Sequence, residues 1–77
     1  MEVDLVIEQG QQLAGVEIKA SATIKQNDFK GLNKLKNACE EQFAAGVVFY
    51  DGENILPFGE RLFAVPISLL TPQIRNI

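Results

Sequence analysis

The feature that most constrains this chain is a segment that predicts two strands with a turn between them. The predicted strands, residues 2–7 and 13–19, lie on either side of Gly10 and Gln11. Glycine at the first central position is typical of a type II′ turn, so the pattern predicts a β-hairpin in which Gln9 faces Gln12. Because one pair sets the register of all the others, this turn fixes which side chains meet.

The predicted register brings charged side chains together. It places Asp4 opposite Glu17, and Glu2 opposite Lys19. Because side chains alternate along a strand, these charged residues project from one face and apolar residues project from the other. The expected core-facing residues are Val3, Leu5, Val16 and Ile18. We therefore expect the later helix to cover that apolar face and to leave the charged face in solvent.

Two facing carboxylates destabilise a strand pair unless a proton, an ammonium group or a cation neutralises them. Lys19 supplies an ammonium group, while Asp4 and Glu17 supply the hard oxygen ligands that Mg²⁺ prefers. A lysine beside such an ion positions water or offsets charge on a phosphate. The pattern indicates metal-assisted phosphodiester hydrolysis, and its alternative is an ordinary solvated face of an amphipathic hairpin.

Several short motifs occur in an order that resembles one protein family. Asp4, followed after twelve residues by the segment Glu17-Ile18-Lys19, resembles the core of the PD-(D/E)XK nuclease superfamily. The stretches that extend this resemblance are residues 2–7, 15–21, 28–32, 45–50, 56–59 and 64–66. Together they resemble the nuclease-like C-terminal domain of prokaryotic AAA-type ATPases, a domain of unknown function, over nearly all of the chain.

The resemblance implies a truncated restriction-endonuclease-like core and a role for each matching residue. Asp4 and Glu17 would bind Mg²⁺, and the backbone carbonyl of Ile18 would contact the same ion. Lys19 would be the catalytic lysine, and Glu2 would be an auxiliary acid. DNA is the implied substrate.

The sequence departs from these relatives in what it lacks. They carry an ATPase domain and a helical region upstream, whereas this chain starts at the first strand. It holds no G-x-x-x-x-G-K-[ST] phosphate loop, which excludes nucleotide binding and ATP hydrolysis, so an ATPase partner would act in trans. We therefore expect a stand-alone remnant of a nuclease-like domain.

The missing upstream helical region also predicts an uncovered surface. Without an upstream helix, one face or edge of the sheet is expected to be bare, and bare edges invite pairing. The residues expected on it are Phe58, Phe63, Leu69 and Leu70. A symmetric homodimer is the expected way to bury this surface, through strand exchange or edge-to-edge pairing.

Length and cysteine usage limit the architecture to one small domain. The 77 residues leave room for a single core, so we expect one domain over residues 1–77. The single cysteine, Cys39, excludes an internal disulfide, and no histidine is present to activate it as a nucleophile. No targeting segment or membrane span is recognisable, and free cysteine suits a reducing compartment, so the expected location is the cytoplasm.

The charge balance argues against a strong, autonomous nucleic-acid binder. Seven Lys and Arg against ten Asp and Glu give a net charge of −3, whereas domains that track phosphates usually carry a basic excess. Lys25, Lys30 and Lys34 form a local basic cluster that would contact DNA weakly. The alternative for this cluster is a solvated helix face.

Beyond the hairpin, apolar spacing predicts a helix over residues 28–43, with Asn27 as its cap. The apolar run 44–50 predicts a buried strand, reached by a right-handed parallel crossover. Residues 61–65 predict a last strand of a C-terminal hairpin, and residues 67–70 a helical turn. The tail after Pro72 has no assigned role. The expected fold class is α/β (α+β): hairpin, helix, crossover strand and terminal hairpin.

Three functions of different classes are compatible with this sequence. The first is an Mg²⁺-dependent nuclease core that uses Asp4, Glu17 and Lys19. The second is a non-catalytic, dimeric protein-interaction module that retains the fold, since fold alone does not establish activity. The third is a decayed fragment that folds by dimerising and has no activity.

Overall fold

The computed structural model of the protein describes residues 3–70. It contains five strands and one α-helix, in a strand order that confirms the expected α+β class. The elements are β1 (Leu5–Gln9), β2 (Gln12–Lys19), α1 (Lys30–Cys39), β3 (Phe43–Tyr50), β4 (Leu56–Pro57) and β5 (Leu62–Pro66). Single turns of 3₁₀ helix span Gln26–Phe29, Glu40–Gln42 and Ile67–Leu70. The last of these confirms the helical turn predicted over residues 67–70.

The hairpin has the predicted register. β1 and β2 pair antiparallel from Gln9 and Gln12 at the turn to Leu5 and Val16 at the far end. Gly10 has a φ angle of 62°, in the left-handed region that glycine adopts without steric cost. The prediction that rested on the Gly10-Gln11 turn is therefore confirmed for these five pairs.

The helical segment is shorter than predicted and begins differently. The α-helix covers residues 30–39, and the ends of the predicted 28–43 span are 3₁₀ turns. Asn27 is not the cap: the segment starts after Lys25, whose backbone N–H donates to the Asp28 carboxylate at 2.7 Å. At the other end, Glu40 has a φ angle of 48°, which stops the helix before the strand begins.

The strands form one mixed five-stranded sheet in the order β1-β2-β3-β5-β4. β3 is parallel to β2, as a crossover through a helix requires, and it is also parallel to β5 on its other side. β4 pairs antiparallel with β5 and completes the expected C-terminal hairpin. The sheet therefore has β1 at one edge and the two-residue β4 at the other.

Helix α1 packs on the sheet where two glycines lie side by side. Gly15 of β2 and Gly46 of β3 are paired in the register. A Cβ atom on Gly15 would lie 2.6 Å from Leu32 Cδ2, and one on Gly46 would lie 3.3 Å from Leu32 Cβ. The buried core around this contact consists of Phe29, Leu32, Leu35, Phe43, Val48, Tyr50, Leu62 and Ala64. The absence of side chains at the two glycines lets the helix approach closely.

The helix covers the opposite face of the hairpin from the one predicted. Gly15, Glu17 and Lys19 share the face that α1 covers, since they alternate with Val16 and Ile18 along β2. Leu5 is 54% exposed and Ile18 is 60% exposed. The predicted covering of the Val3, Leu5, Val16 and Ile18 face is therefore wrong. Val3, which precedes β1, packs partly buried against the core instead.

The other side of the sheet, called here the open face, is apolar. Its residues follow from the register: Leu5, Ile7, Ala14, Val16, Ile18, Ala45, Val47, Phe49, Phe63 and Val65. No element among residues 3–70 packs over it as α1 packs over the opposite side. The expected bare surface exists, but most of its residues come from the hairpin and from β3.

Two of the four residues predicted for that surface lie after β5, and one packs partly buried against the core. Leu69 and Leu70 are exposed, and Phe63 is exposed on the open face. Phe58 is only half-exposed, because its ring stacks on the buried Phe29 ring with centroids 4.7 Å apart. Its assignment to the bare surface is therefore wrong.

Arg61, which directly precedes β5, forms hydrogen bonds with the first half of β3. Its guanidinium donates to the Phe43 carbonyl at 2.6 Å and lies 5.8 Å from the centroid of the Phe43 ring. Its own carbonyl accepts from the Gly46 backbone N–H at 2.8 Å. These contacts hold Arg61 at a φ angle of 63°, which is unusual for a residue with a side chain.

Replacing Gly15 with alanine should destabilise the protein by about 1–3 kcal/mol, because the added methyl group overlaps the buried Leu32 and Leu35 side chains. Urea unfolding followed by circular dichroism measures this change. In the double variant Gly15→Ala/Leu32→Ala the new methyl group occupies part of the space that leucine leaves. Its destabilisation should therefore be smaller than the sum of the two single changes, and strict additivity would contradict this packing.

Candidate active site

The acid of the first strand lies beside the E-x-K segment. Asp4 immediately precedes β1, beyond the last backbone pair of the hairpin, Leu5 with Val16. Its Oδ2 atom accepts the backbone N–H of Ile18 at 2.8 Å. The carboxylate thus takes the place of a main-chain carbonyl where the strand pairing has ended. Since the N–H and C=O of one strand residue point to the same side, the Ile18 carbonyl also faces the Asp4 side of β2.

Glu17 is held in a sheltered position on the helix side of the sheet. It stands between Gly15 and Lys19 on that face, next to Val48 of the neighbouring strand. Its side chain is half-buried, and its Oε2 atom is shielded from solvent. A carboxylate in this position is less hydrated than a carboxylate on the protein surface.

Lys19 is bound by an acid, Asp28, that is not among the predicted site residues. Its Nζ atom donates to Asp28 Oδ2 at 2.7 Å, and the two side chains are 33% and 23% exposed. Asp28 stands in the 3₁₀ turn that leads into α1, so this ion pair ties the end of β2 to the start of the helix. The sequence signal for Asp28 was local, an acid in the first turn of a helix. Its pairing with Lys19 depends on how the helix docks.

The environment of Asp28 favours its charged form. Partial burial raises the pKa of the carboxyl, but the hydrogen bond from Lys19, the backbone N–H of Lys25 and the positive charges of both lysines outweigh it. The net result is a pKa below the ordinary value of 3.8. Asp28 is therefore a fixed anion at neutral pH and a stable anchor for the Lys19 ammonium group.

The loop that follows Lys19 is tied to the end of the central strand. The Ser21 backbone N–H donates to the Lys19 carbonyl at 2.9 Å, and the Ser21 carbonyl accepts from the Asp51 N–H at 2.9 Å. The Ser21 hydroxyl accepts from the Thr23 N–H at 3.1 Å. The carboxyl ends of β2 and β3 therefore meet in a structured edge, the place where parallel α/β sheets commonly bind ligands.

The remaining predicted site residues flank this cluster with exposed side chains or lie outside the described residues. Lys30 and Lys34 are exposed on α1, and Lys25 is exposed just before the 3₁₀ turn. Glu2 lies outside the described residues. Within residues 3–70 the structure places Asp4 against the backbone of Ile18, the residue between Glu17 and Lys19, and pairs Lys19 with Asp28.

The donor chemistry at this strand end fits a weakly held Mg²⁺ ion. Among residues 3–70, no group of three or more His, Cys, Asp or Glu side chains is gathered to hold a metal. Mg²⁺ needs only one or two protein carboxylates and keeps several waters. Asp4 retains one oxygen that does not bind Ile18, and the Ile18 carbonyl faces the same side. Asp4, Glu17 and the Ile18 carbonyl are the groups that would hold such an ion.

Changing Asp28 to asparagine should lower the free energy of unfolding by about 1 kcal/mol at neutral pH, the scale of a charge-assisted bond at a partly exposed position. Because the folded state lowers the Asp28 pKa, its stabilising effect is full above the ordinary value and disappears as the pH falls through the lowered value. Urea unfolding of both proteins at neutral and acid pH measures the difference, which should vanish at the acid end. Glu53→Gln, in the exposed loop after β3, controls for net charge.

Comparison with known proteins connects this chain to one family. No curated protein and no solved structure matches it. None of the helices within residues 3–70 has the length and apolar character needed to cross a bilayer. The profile of a family described as a domain of unknown function, DUF4143, matches residues 1–70. Because this match spans most of the chain, the protein belongs to the DUF4143 family.

Proposed function

We propose that this chain is a nuclease-like domain of the PD-(D/E)XK type that hydrolyses DNA phosphodiester bonds with the help of Mg²⁺. The observation that supports this most is the hydrogen bond from the Ile18 backbone N–H to Asp4, which places an acid from just before β1 beside the middle residue of the E-x-K segment. Asp4 and Glu17 together supply the two carboxylates that Mg²⁺ commonly takes from a protein. The alternative of a plain solvated face is less consistent with the half-buried Glu17.

Each residue has a defined part in the proposed reaction. Asp4 and Glu17 hold the cation together with the Ile18 carbonyl, and a bound Mg²⁺ supplies Lewis-acid polarisation of the phosphate. Lys19 orients the attacking water or offsets the charge that builds up on the phosphate. Asp28 is a positioning residue, since it fixes the Lys19 ammonium group through the 2.7 Å ion pair.

The charge distribution suggests how a nucleic acid would approach. Lys25 is exposed before the 3₁₀ turn that holds Asp28, and Lys30 and Lys34 are exposed on α1, which follows that turn. They offer weak phosphate contacts next to the proposed site. With a net charge of −3 the chain binds DNA poorly alone, so we propose that an ATPase partner, supplied in trans, delivers the substrate in the cytoplasm.

A second candidate function is a non-catalytic homodimeric module. The open face favours it, because Leu5, Ile7 and Ile18 are each more than half exposed on one apolar surface. Monomeric soluble proteins rarely expose apolar patches beyond a few hundred Å². Such a module would tolerate changes to Asp4, Glu17 and Lys19, whereas a nuclease would not.

Adding Mg²⁺ or Mn²⁺ should shift the backbone amide signals of Asp4, Glu17 and Ile18 in a saturable way. Asp4→Asn should abolish these shifts, because it removes one of the two carboxylates. Glu8→Gln, an exposed acid at the other end of β1, is the matched control and should leave them intact. An unmoved wild-type spectrum, or shifts that survive in Asp4→Asn, would contradict the proposed cation site.

Cleavage of plasmid DNA in Mg²⁺ should fall by at least about 100-fold in Lys19→Met, because the positioned ammonium group is lost. Asp28→Asn should reduce cleavage less, since it loosens Lys19 without removing it. The Mg²⁺-induced amide shifts should persist in both variants, which separates catalysis from cation binding. Equal cleavage by wild type and Lys19→Met would reject a catalytic role for this lysine.

A further inference from the structure

The two edges of the sheet differ in how far they are protected from pairing. The β4 edge is only two residues long and ends in Pro57, which has no N–H to offer. The β1 edge is five residues long, and within residues 3–70 its only strand partner is β2. β1 therefore presents one row of backbone donors and acceptors with no strand on its outer side in the described structure.

The side chains of β1 do not block this edge. All five of its residues are exposed, including Leu5 at 54%, Val6 at 42% and Ile7 at 51%. Natural edge strands are usually shortened, bulged, or protected by proline or charged side chains. β1 is neither shortened nor bulged, has no lysine or proline, and carries one charged residue, Glu8. The combination of a regular backbone and apolar side chains on both faces is typical of a strand that pairs with another strand.

We propose that two copies of this chain associate through β1, as antiparallel neighbours in one continuous sheet, with a two-fold axis passing beside Ile7. A two-fold axis perpendicular to the sheet pairs each residue with a residue on the same face. Centred on Ile7, it places Ile7 opposite Ile7, Leu5 opposite Gln9, and Val6 opposite Glu8. This register uses every residue of β1 in both copies.

Charge selects this register over its neighbours. A shift of the axis to Val6 would place Asp4 of one copy opposite Glu8 of the other, and a shift to Glu8 would bring the two Glu8 side chains face to face. Directly opposed like charges destabilise a strand pair. With the axis at Ile7, each Glu8 faces a valine, and the leucine and isoleucine side chains of both copies meet on the open face.

This inference deepens the homodimer proposal by naming its strand and register, and it is independent of the proposed chemistry. β1 contains none of the proposed catalytic or cation-binding residues, which are Asp4, Glu17, Ile18 and Lys19. Variants at Ile7 should therefore keep the Mg²⁺-induced amide shifts. Failure of the strand pairing and failure of the cation site are consequently separate results.

Charge-swap variants at the axis test the register. Sedimentation velocity of the full chain over a wide concentration range should show a reversible dimer for the wild type. Ile7→Lys and Ile7→Glu should each weaken association at least about tenfold, because each places two like charges in direct opposition. An equimolar mixture of the two variants should restore a dimer, since lysine then faces glutamate. A mixture that stays monomeric would overturn the proposal.

Ile18→Lys is the matched control for the geometry. Ile18 is 60% exposed on the same open face but belongs to β2, so its substitution should leave edge pairing intact. A dimer lost in Ile18→Lys and kept in Ile7→Lys would show face-to-face packing and overturn the proposal. A wild type that is monomeric at every concentration would overturn it as well.

A measurement without substitutions covers the case in which an Ile7 variant fails to fold. Amide hydrogen exchange of the wild type should slow at the outward-facing N–H groups of β1 as concentration rises, while β4 amides stay unchanged. Concentration-independent exchange throughout β1 would reject strand pairing.

Discussion

The close contact of α1 with the paired glycines of β2 and β3 is the constraint on which the rest of this small structure depends. Because Gly15 and Gly46 carry no side chains, Leu32 reaches the sheet surface directly and is fully buried there. This contact decides which face of the sheet becomes the core. It also brings the turn before the helix, with Asp28, against the end of β2. The packing of the core and the geometry of the charged cluster therefore have one origin.

The ion pair between Lys19 and Asp28 shows how that packing shapes the candidate site. Lys19 projects toward the helix side of the sheet. At the margin of that side its apolar stem packs against protein while its ammonium group stays partly exposed. Asp28 is held by the Lys25 backbone as well as by Lys19, so its position does not depend on the lysine alone. An ammonium group anchored in this way is better suited to positioning a reactant than one on a free surface, because less freedom is lost when it acts.

The hairpin register, the parallel crossover and the order of elements could be predicted from sequence, because turn chemistry and apolar periodicity are local signals. The covered face could not, because the hairpin offered two plausible faces and the charged residues favoured the wrong one. Gly15 was the overlooked signal: a glycine on the charged face marks a close backbone approach. The pairing of Asp28 with Lys19 could not be predicted either. An acid at the start of a helix is a local signal, whereas this contact forms only when the helix packs on the sheet.

The proposed assembly and the proposed chemistry lie next to each other at Asp4. Asp4 directly precedes β1, and it reaches Ile18 across the end of the hairpin. An edge strand with a partner on one side is held less firmly than a strand with partners on both, because its backbone hydrogen bonds open more readily. Pairing of β1 with a second strand would therefore restrain the backbone next to Asp4. The Asp4 carboxylate contacts Ile18 within the same copy, so the proposed cation site is complete without that pairing.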